Sequence, residues 1–124
     1  MGSQTKTIAI VIILILVGVI FLFVYRTATL PITKYLDGGE SVTSTLEKYC
    51  SRLSVTLAST KGDMNLKLTV DGQTVYEQNN IRDFSFVHNM GFGHHVIHLF
   101  IQNPTVFGFG STIRVSGTLS SYIW

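Results

Sequence analysis

Four histidines, His88, His94, His95 and His98, lie within eleven residues of each other. Imidazole is the side chain best suited to bind a transition metal or move a proton near neutral pH. His94 and His98 share a face of an extended strand but stand about 13 Å apart, too far to hold one ion together. Arg82–His88 and His94–Gln102 read as two strands of a hairpin around Asn89-Met90-Gly91-Phe92-Gly93. Across such a hairpin His88 and His94 face each other with Cβ atoms about 5 Å apart. They are the candidate metal ligands, for copper or zinc. A third ligand has no place in this reading: neither Cys50 nor Asp83 can be set beside the pair, and the cupredoxin spacing of Cys with Met or His is missing. No other cofactor is implied.

Catalytic chemistry finds less support, and an enzyme is not expected. There is no Gly-x-Ser-x-Gly elbow, the single Cys50 sits in a Tyr-Cys-Ser setting, and the seven carboxylates are scattered. Gly-Phe-Gly occurs twice, at residues 91–93 and 108–110, with Phe107 beside the second copy. No Lys or helix start follows either copy, so a phosphate-binding loop is a poor reading; the glycines instead set Phe92 and Phe109 at loop tips.

The elements that must position these residues are strands. Leu53, Val55 and Leu57 alternate with polar residues, as do Met64, Leu66, Leu68 and Val70, and Ile113, Val115, Gly117 and Leu119. Asp71-Gly72 is a strong hairpin turn, with the return strand Gln73–Glu77 setting Val75 opposite Leu68. Ser41–Cys50 reads as a strand because Thr43, Ser44 and Thr45 are poor helix formers. Seven or eight short strands over residues 41–124 predict an antiparallel β-sandwich, jelly-roll-like or immunoglobulin-like. In the second hairpin Phe84, Phe86, Val96, His98 and Phe100 are expected on one face, and Val87, Ile97, Leu99 and Ile101 on the other. With both faces apolar, the hairpin is either central and covered or exposes a patch that a partner would cover. Phe84, Phe86 and Phe100, together with Phe107, Phe109, Tyr122 and Trp124, are the candidate partner interface.

Composition sets this domain against a membrane. Only 13% of the 124 residues are charged while 46% are hydrophobic, against about 25% charge in an ordinary soluble chain; the mean hydropathy is +0.37. Past residue 30 seven basic residues meet seven acidic ones, so the formal charge of +2 comes from Lys6 and Arg26. That balance excludes a basic nucleic-acid face, a disordered tail and a large multidomain enzyme. From Ile8 to Tyr25 eighteen residues run without a charge, with only Gly18 outside the apolar set. As a helix this run is about 27 Å long, close to the ~30 Å hydrocarbon core. It exceeds the usual signal-peptide core, and Arg26 closes it where a small-residue cleavage site would be wanted, so a retained anchor is expected. No ionisable residue interrupts it, which removes ion conduction and proton relay.

The expected organisation is a polar tail at 1–7, a transmembrane helix at 8–26, a juxtamembrane linker at 27–40 containing Pro31 and Gly38-Gly39, and the β-sandwich at 41–124. Low charge and abundant Ser and Thr favour an extracytoplasmic side for the domain. The layout resembles archaeal pilins, small envelope or virion membrane proteins, and single-span accessory subunits of membrane enzyme complexes. Against the pilin resemblance, a prepilin-like basic leader with a cleavage site is not expected from the residues before the helix. The leading expectation is a non-catalytic accessory or structural subunit, partnered by the bilayer and by other membrane proteins. A self-assembling filament, lattice or virion subunit is the alternative, and a His-based metal module the third.

Overall fold

The computed structural model describes residues 2–105 and 112–124. Its first element, α1, is a helix over Gly2–Tyr25. The span Gln4–Leu22 is apolar enough to cross a membrane, and none of it is buried against the rest of the chain. A helix of these residues closes every internal backbone hydrogen bond itself, so it needs no partner for its peptide groups even in hydrocarbon.

Only Arg26 separates α1 from the first strand, β1, at Thr27–Leu36. The linker expected over 27–40 is therefore reduced to the turn 37–40. The alternation of Ala28, Leu30, Ile32 and Leu36 with polar neighbours is a strand pattern that Pro31 obscured. Proline is tolerated because β1 is an edge strand among the described residues, paired with Ile113–Tyr122 on one side. Ile32 and Leu36 reach the core.

The remaining strands are β2 (Ser41–Thr60), β3 (Met64–Val70), β4 (Gln73–Ile81), β5 (Asp83–Gln102) and β6 (Ile113–Tyr122). They form one antiparallel sheet in the order β1-β6-β2-β5-β3-β4. Among the described residues there are six strands, against seven or eight expected, because β2 and β5 are each twenty residues long. Each joins two segments that read separately in the sequence.

These two long strands make the fold. The second half of β2 pairs with β6 and with the first half of β5, while the second half of β5 pairs with β3 and with the first half of β2. The sheet thus has two four-stranded halves, β1-β6-β2-β5 and β2-β5-β3-β4, sharing β2 and β5. It folds over between them, where the β2–β5 register shifts between Cys50 and Arg52. Between the pairs Cys50–Gly93 and Arg52–Asn89, β2 has one residue, Ser51, while β5 has three, 90–92, and such an irregularity bends the strands. On β2 the buried parity changes from Leu46 and Cys50 to Leu53, Val55 and Leu57; on β5 it changes from Phe84 to Ile97, Leu99 and Ile101. Without that change one half of each strand would turn its apolar side to water.

The layers close on each other at several points. Tyr76 of β4 packs on Phe84 of β5 at 4.7 Å between ring centroids. Asn103, just past β5, donates through Nδ2 to the Leu36 carbonyl at 2.9 Å. Inside lies one core that includes Leu53, Leu57, Met64, Leu66, Ile97, Leu99, Ile113 and Leu119. The β3–β4 register shifts between Leu68 and Thr69, setting Tyr76 rather than Val75 opposite Leu68.

Candidate functional site at the helix-proximal end

Strand pairing places one end of the sandwich beside the exit of α1. Thr27 pairs with Tyr122, Tyr122 with Arg52, and Arg52 with Asn89. The sheet folds over at this same end, since Cys50 and Gly93 pair immediately beyond Arg52 and Asn89.

The last residues are docked here. Ile123 donates its backbone N–H to the Arg26 carbonyl at 2.8 Å, and the Ser51 hydroxyl donates to the Ile123 carbonyl at 2.6 Å. Arg26 donates from Nε to the Trp124 carbonyl at 3.2 Å, with its guanidinium 5.2 Å from the centre of the Trp124 ring. Arg52 stacks over Tyr122 at 4.5 Å. The sequence flagged Tyr122 and Trp124; their cationic partners were not legible because they stand some seventy and ninety-eight residues away.

On the fold-over itself a second aromatic group faces outward. Tyr49 lies 6.4 Å from Phe92 and 5.1 Å from His94, between ring centroids. Tyr49 and Phe92 are 63% and 64% exposed, and Trp124 45%. Glu47 pairs with His94 Nε2 at 3.1 Å. Phe92 carried a sequence signal, being flanked by glycines, whereas Tyr49 had none until β2 and β5 were paired.

Inside the same end, His95 joins the fold-over to the β3–β4 turn. Its Nδ1 donates to Asp71 Oδ2 at 2.7 Å, and its Nε2 to the Gly91 carbonyl at 2.6 Å. Asp71 Oδ1 accepts the Val96 backbone N–H at 2.9 Å. Both acceptors facing the ring prefer a proton on each nitrogen, so the Asp71 carboxylate, then the Gly91 carbonyl, raise the His95 pKa against the opposing effect of burial. The Val96 amide and then His95 hold Asp71 below the usual carboxylate range. With both ring nitrogens engaged by oxygen acceptors, His95 presents no free lone pair to a metal or a substrate proton. Cys50 is fully buried, and burial, then the negative charge of Asp71, push its thiol pKa up, away from the nucleophilic thiolate.

The other sequence candidates are placed elsewhere. The segments 82–88 and 94–102 are halves of one continuous strand, so the hairpin that set His88 opposite His94 does not form. His88 pairs with Leu53 and stacks on Phe86 at 6.0 Å, while His94 pairs with Tyr49. The two-imidazole site loses its geometry for this reason. Among the described residues no group of three or more His, Cys, Asp or Glu side chains could hold a metal ion.

Phe84 and Phe86 face inward, in one core with Ile97, Leu99 and Ile101, stack on each other and pack at a tilt against Tyr76. Phe100 has the opposite parity to Leu99 and Ile101 and lies on the outer face. The expected hairpin faces are corrected accordingly: the bulge exchanges the sides of β5 midway, and Phe84, Phe86 and Phe100 do not make one surface. Phe107 and Phe109 lie outside the described residues.

No family model matches the chain. No curated protein matches it in sequence. Among solved structures, a family two carbohydrate esterase from Cellvibrio japonicus is similar with a TM-score of 0.49 and 12% identity, over 79% of this chain and 34% of the esterase; the chain thus spans about a third of that protein. A periplasmic inhibitor of g-type lysozyme from Aeromonas hydrophila gives a TM-score of 0.49 and 13% identity, over 77% of this chain and 85% of the inhibitor. A CBM36-1 domain of a xylanase from the hindgut metagenome of Trinervitermes trinervoides gives 0.41 and 14%, over 76% and 94%.

Proposed function

We propose that this chain is a non-catalytic, single-span membrane protein whose β-sandwich stands on the extracytoplasmic side as an accessory or structural subunit of a larger membrane complex. The observation that carries this reading is the relation of α1 to the sandwich. Among the described residues the core draws no side chain from the helix, which leaves its apolar side chains exposed from Ile8 to Leu22 and enters β1 after one residue. Exposing so long an apolar surface to water is unfavourable at roughly 25 cal/mol per Å²; lipid removes that cost. The absence of a linker also fixes the sandwich close to the bilayer, where a structural subunit meets its neighbours.

Alkaline carbonate washing of native membranes tests the anchor, with intact mass showing whether the helix is retained. Mild-detergent extraction, sizing and mass spectrometry of co-migrating proteins then test the role. A fixed set of different proteins is the expected result. A large species of this chain alone would replace the accessory role with a self-assembling one, and release by carbonate or loss of the helix would overturn the anchor.

A further inference from the structure

We infer that the fold-over end of the sandwich is a lipid-contact surface that rests in the anionic headgroup layer of the bilayer crossed by α1. The inference rests on the reading of α1 as a membrane anchor and extends it from the helix to the domain. Thr27, the first strand residue, is two residues beyond Tyr25, the last of the helix. The row Thr27, Tyr122, Arg52 and Asn89 therefore starts within about 7 Å of the helix exit.

Two independent properties collect at this end. Outside α1, the exposed large hydrophobic residues among those described are Tyr35, Tyr49, Val87, Phe92 and Trp124. Tyr35 stands at the far end, paired with Arg114. Trp124, Phe92 and Tyr49 lie on the fold-over end, and Val87 is two positions from Asn89. Monomeric domains do not ordinarily gather exposed aromatics in this way, whereas aromatic rings are favoured at the headgroup level of a membrane.

Charge points to the same occupant. Arg26, Lys48 and Arg52 lie at this end, and its acidic residues, Glu47 and Asp71, are each engaged by an imidazole, His94 and His95. In the rest of the domain Lys34, Lys61, Lys67, Arg82 and Arg114 are balanced by Asp37, Glu40, Asp63, Glu77 and Asp83. The surplus of positive charge on the sandwich thus sits beside the helix, where anionic headgroups attract it. Arg26 and Arg52, lying over Trp124 and Tyr122, can follow these rings to the interface by extending their charged ends toward phosphate.

The test uses the full chain in vesicles of phosphatidylcholine with a minority of phosphatidylglycerol, with and without lipid brominated near the headgroup end of its acyl chains. Trp124 is the only tryptophan, so its emission reports this end directly. Two further reporters, each in a Trp124→Phe background, are Phe92→Trp at the fold-over and Tyr35→Trp at the far end. Both positions are exposed, so the fold tolerates the exchange. The expected result is a blue shift and a loss of emission in brominated vesicles for the native tryptophan and the position-92 reporter, with neither change at position 35. Replacing phosphatidylglycerol by phosphatidylcholine should reduce the quenching at position 92. Equal quenching at positions 92 and 35, in chain that still floats with vesicles after a carbonate wash, overturns the lipid contact and leaves the anchor standing. Chain that the wash releases overturns both.

Discussion

Asp71 and His95 meet at 2.7 Å, although Asp71 stands in the turn between β3 and β4 and His95 on β5 at the fold-over of the sheet. Asp71 also binds the Val96 amide, and its own N–H donates to the Val96 carbonyl at 2.9 Å. One turn residue thereby holds the β3–β4 hairpin against the bulged part of β5, with His95 bridging onward to Gly91.

This pair predicts a stability window in pH. The folded-state pKa of His95 is raised above its ordinary 6.5. Its contribution is therefore complete below pH 6.5 and is lost as pH rises through the raised value. Asp71 is lowered from 3.8, so its contribution is present above that pH and fades as pH falls through the lower value. His94 and the buried Cys50 are the other titratable groups whose charge Asp71 feels or perturbs. Thermal unfolding of the full chain in detergent micelles should show stability declining on the alkaline side. Asp71→Asn, which accepts the turn's φ of +52°, should flatten that decline; an unchanged profile would detach His95 from it.

Gly117 of β6 crosses closely over β2. A Cβ placed on it would stand 1.9 Å from the Thr56 carbonyl oxygen and 2.9 Å from Leu57 Cα, both fixed in the adjoining strand. Gly117→Ala must push β6 from β2 or break their ladder, and should destabilise by about 3 kcal/mol or more. A drop in the unfolding midpoint measures it, and a shift no larger than that of an exposed-site alanine would contradict the close approach.

Asn103 ties the opposite end together. Its fully buried side chain donates to the Leu36 carbonyl and accepts from the Thr105 N–H at 3.0 Å and hydroxyl at 2.7 Å. Asn103→Ala leaves the Leu36 oxygen without this donor and should destabilise by about 2–3 kcal/mol. Asn103→Asp keeps the acceptor for Thr105 but sets an oxygen against the Leu36 carbonyl, so denaturant titration should find it no better than alanine.

Cys50 should be inert while the domain is folded. With its thiol buried and its pKa raised, a thiol-specific chromogenic reagent at about pH 8 should react only after denaturation. Stoichiometric labelling of the native chain would show that the fold-over opens around Cys50.

The residues that could be read in order were those whose structure depends on near neighbours. The apolar run from Ile8 makes a helix from its own length and hydrophobicity. The alternation in Met64–Val70 and Ile113–Leu119, with Asp71-Gly72 between β3 and β4, sets strands and a turn from local geometry. These suffice for an apolar helix followed by an antiparallel β domain. Register and sidedness were settled only by tertiary structure. Asn89–Gly93 has the glycines and the parity break of a hairpin turn, but a bulge within one long strand produces the same local signal. The partner across the ladder distinguishes the two, and here it is β2, with Arg52 opposite Asn89 and Cys50 opposite Gly93. The same holds for β1, whose Pro31 denotes a loop until Thr118, distant in sequence, stands opposite it. Hydrophobic periodicity says that a residue is turned inward or outward relative to its neighbours; which chain lies beside it, and hence which aromatics and cations gather near α1, follows from pairings across tens of residues.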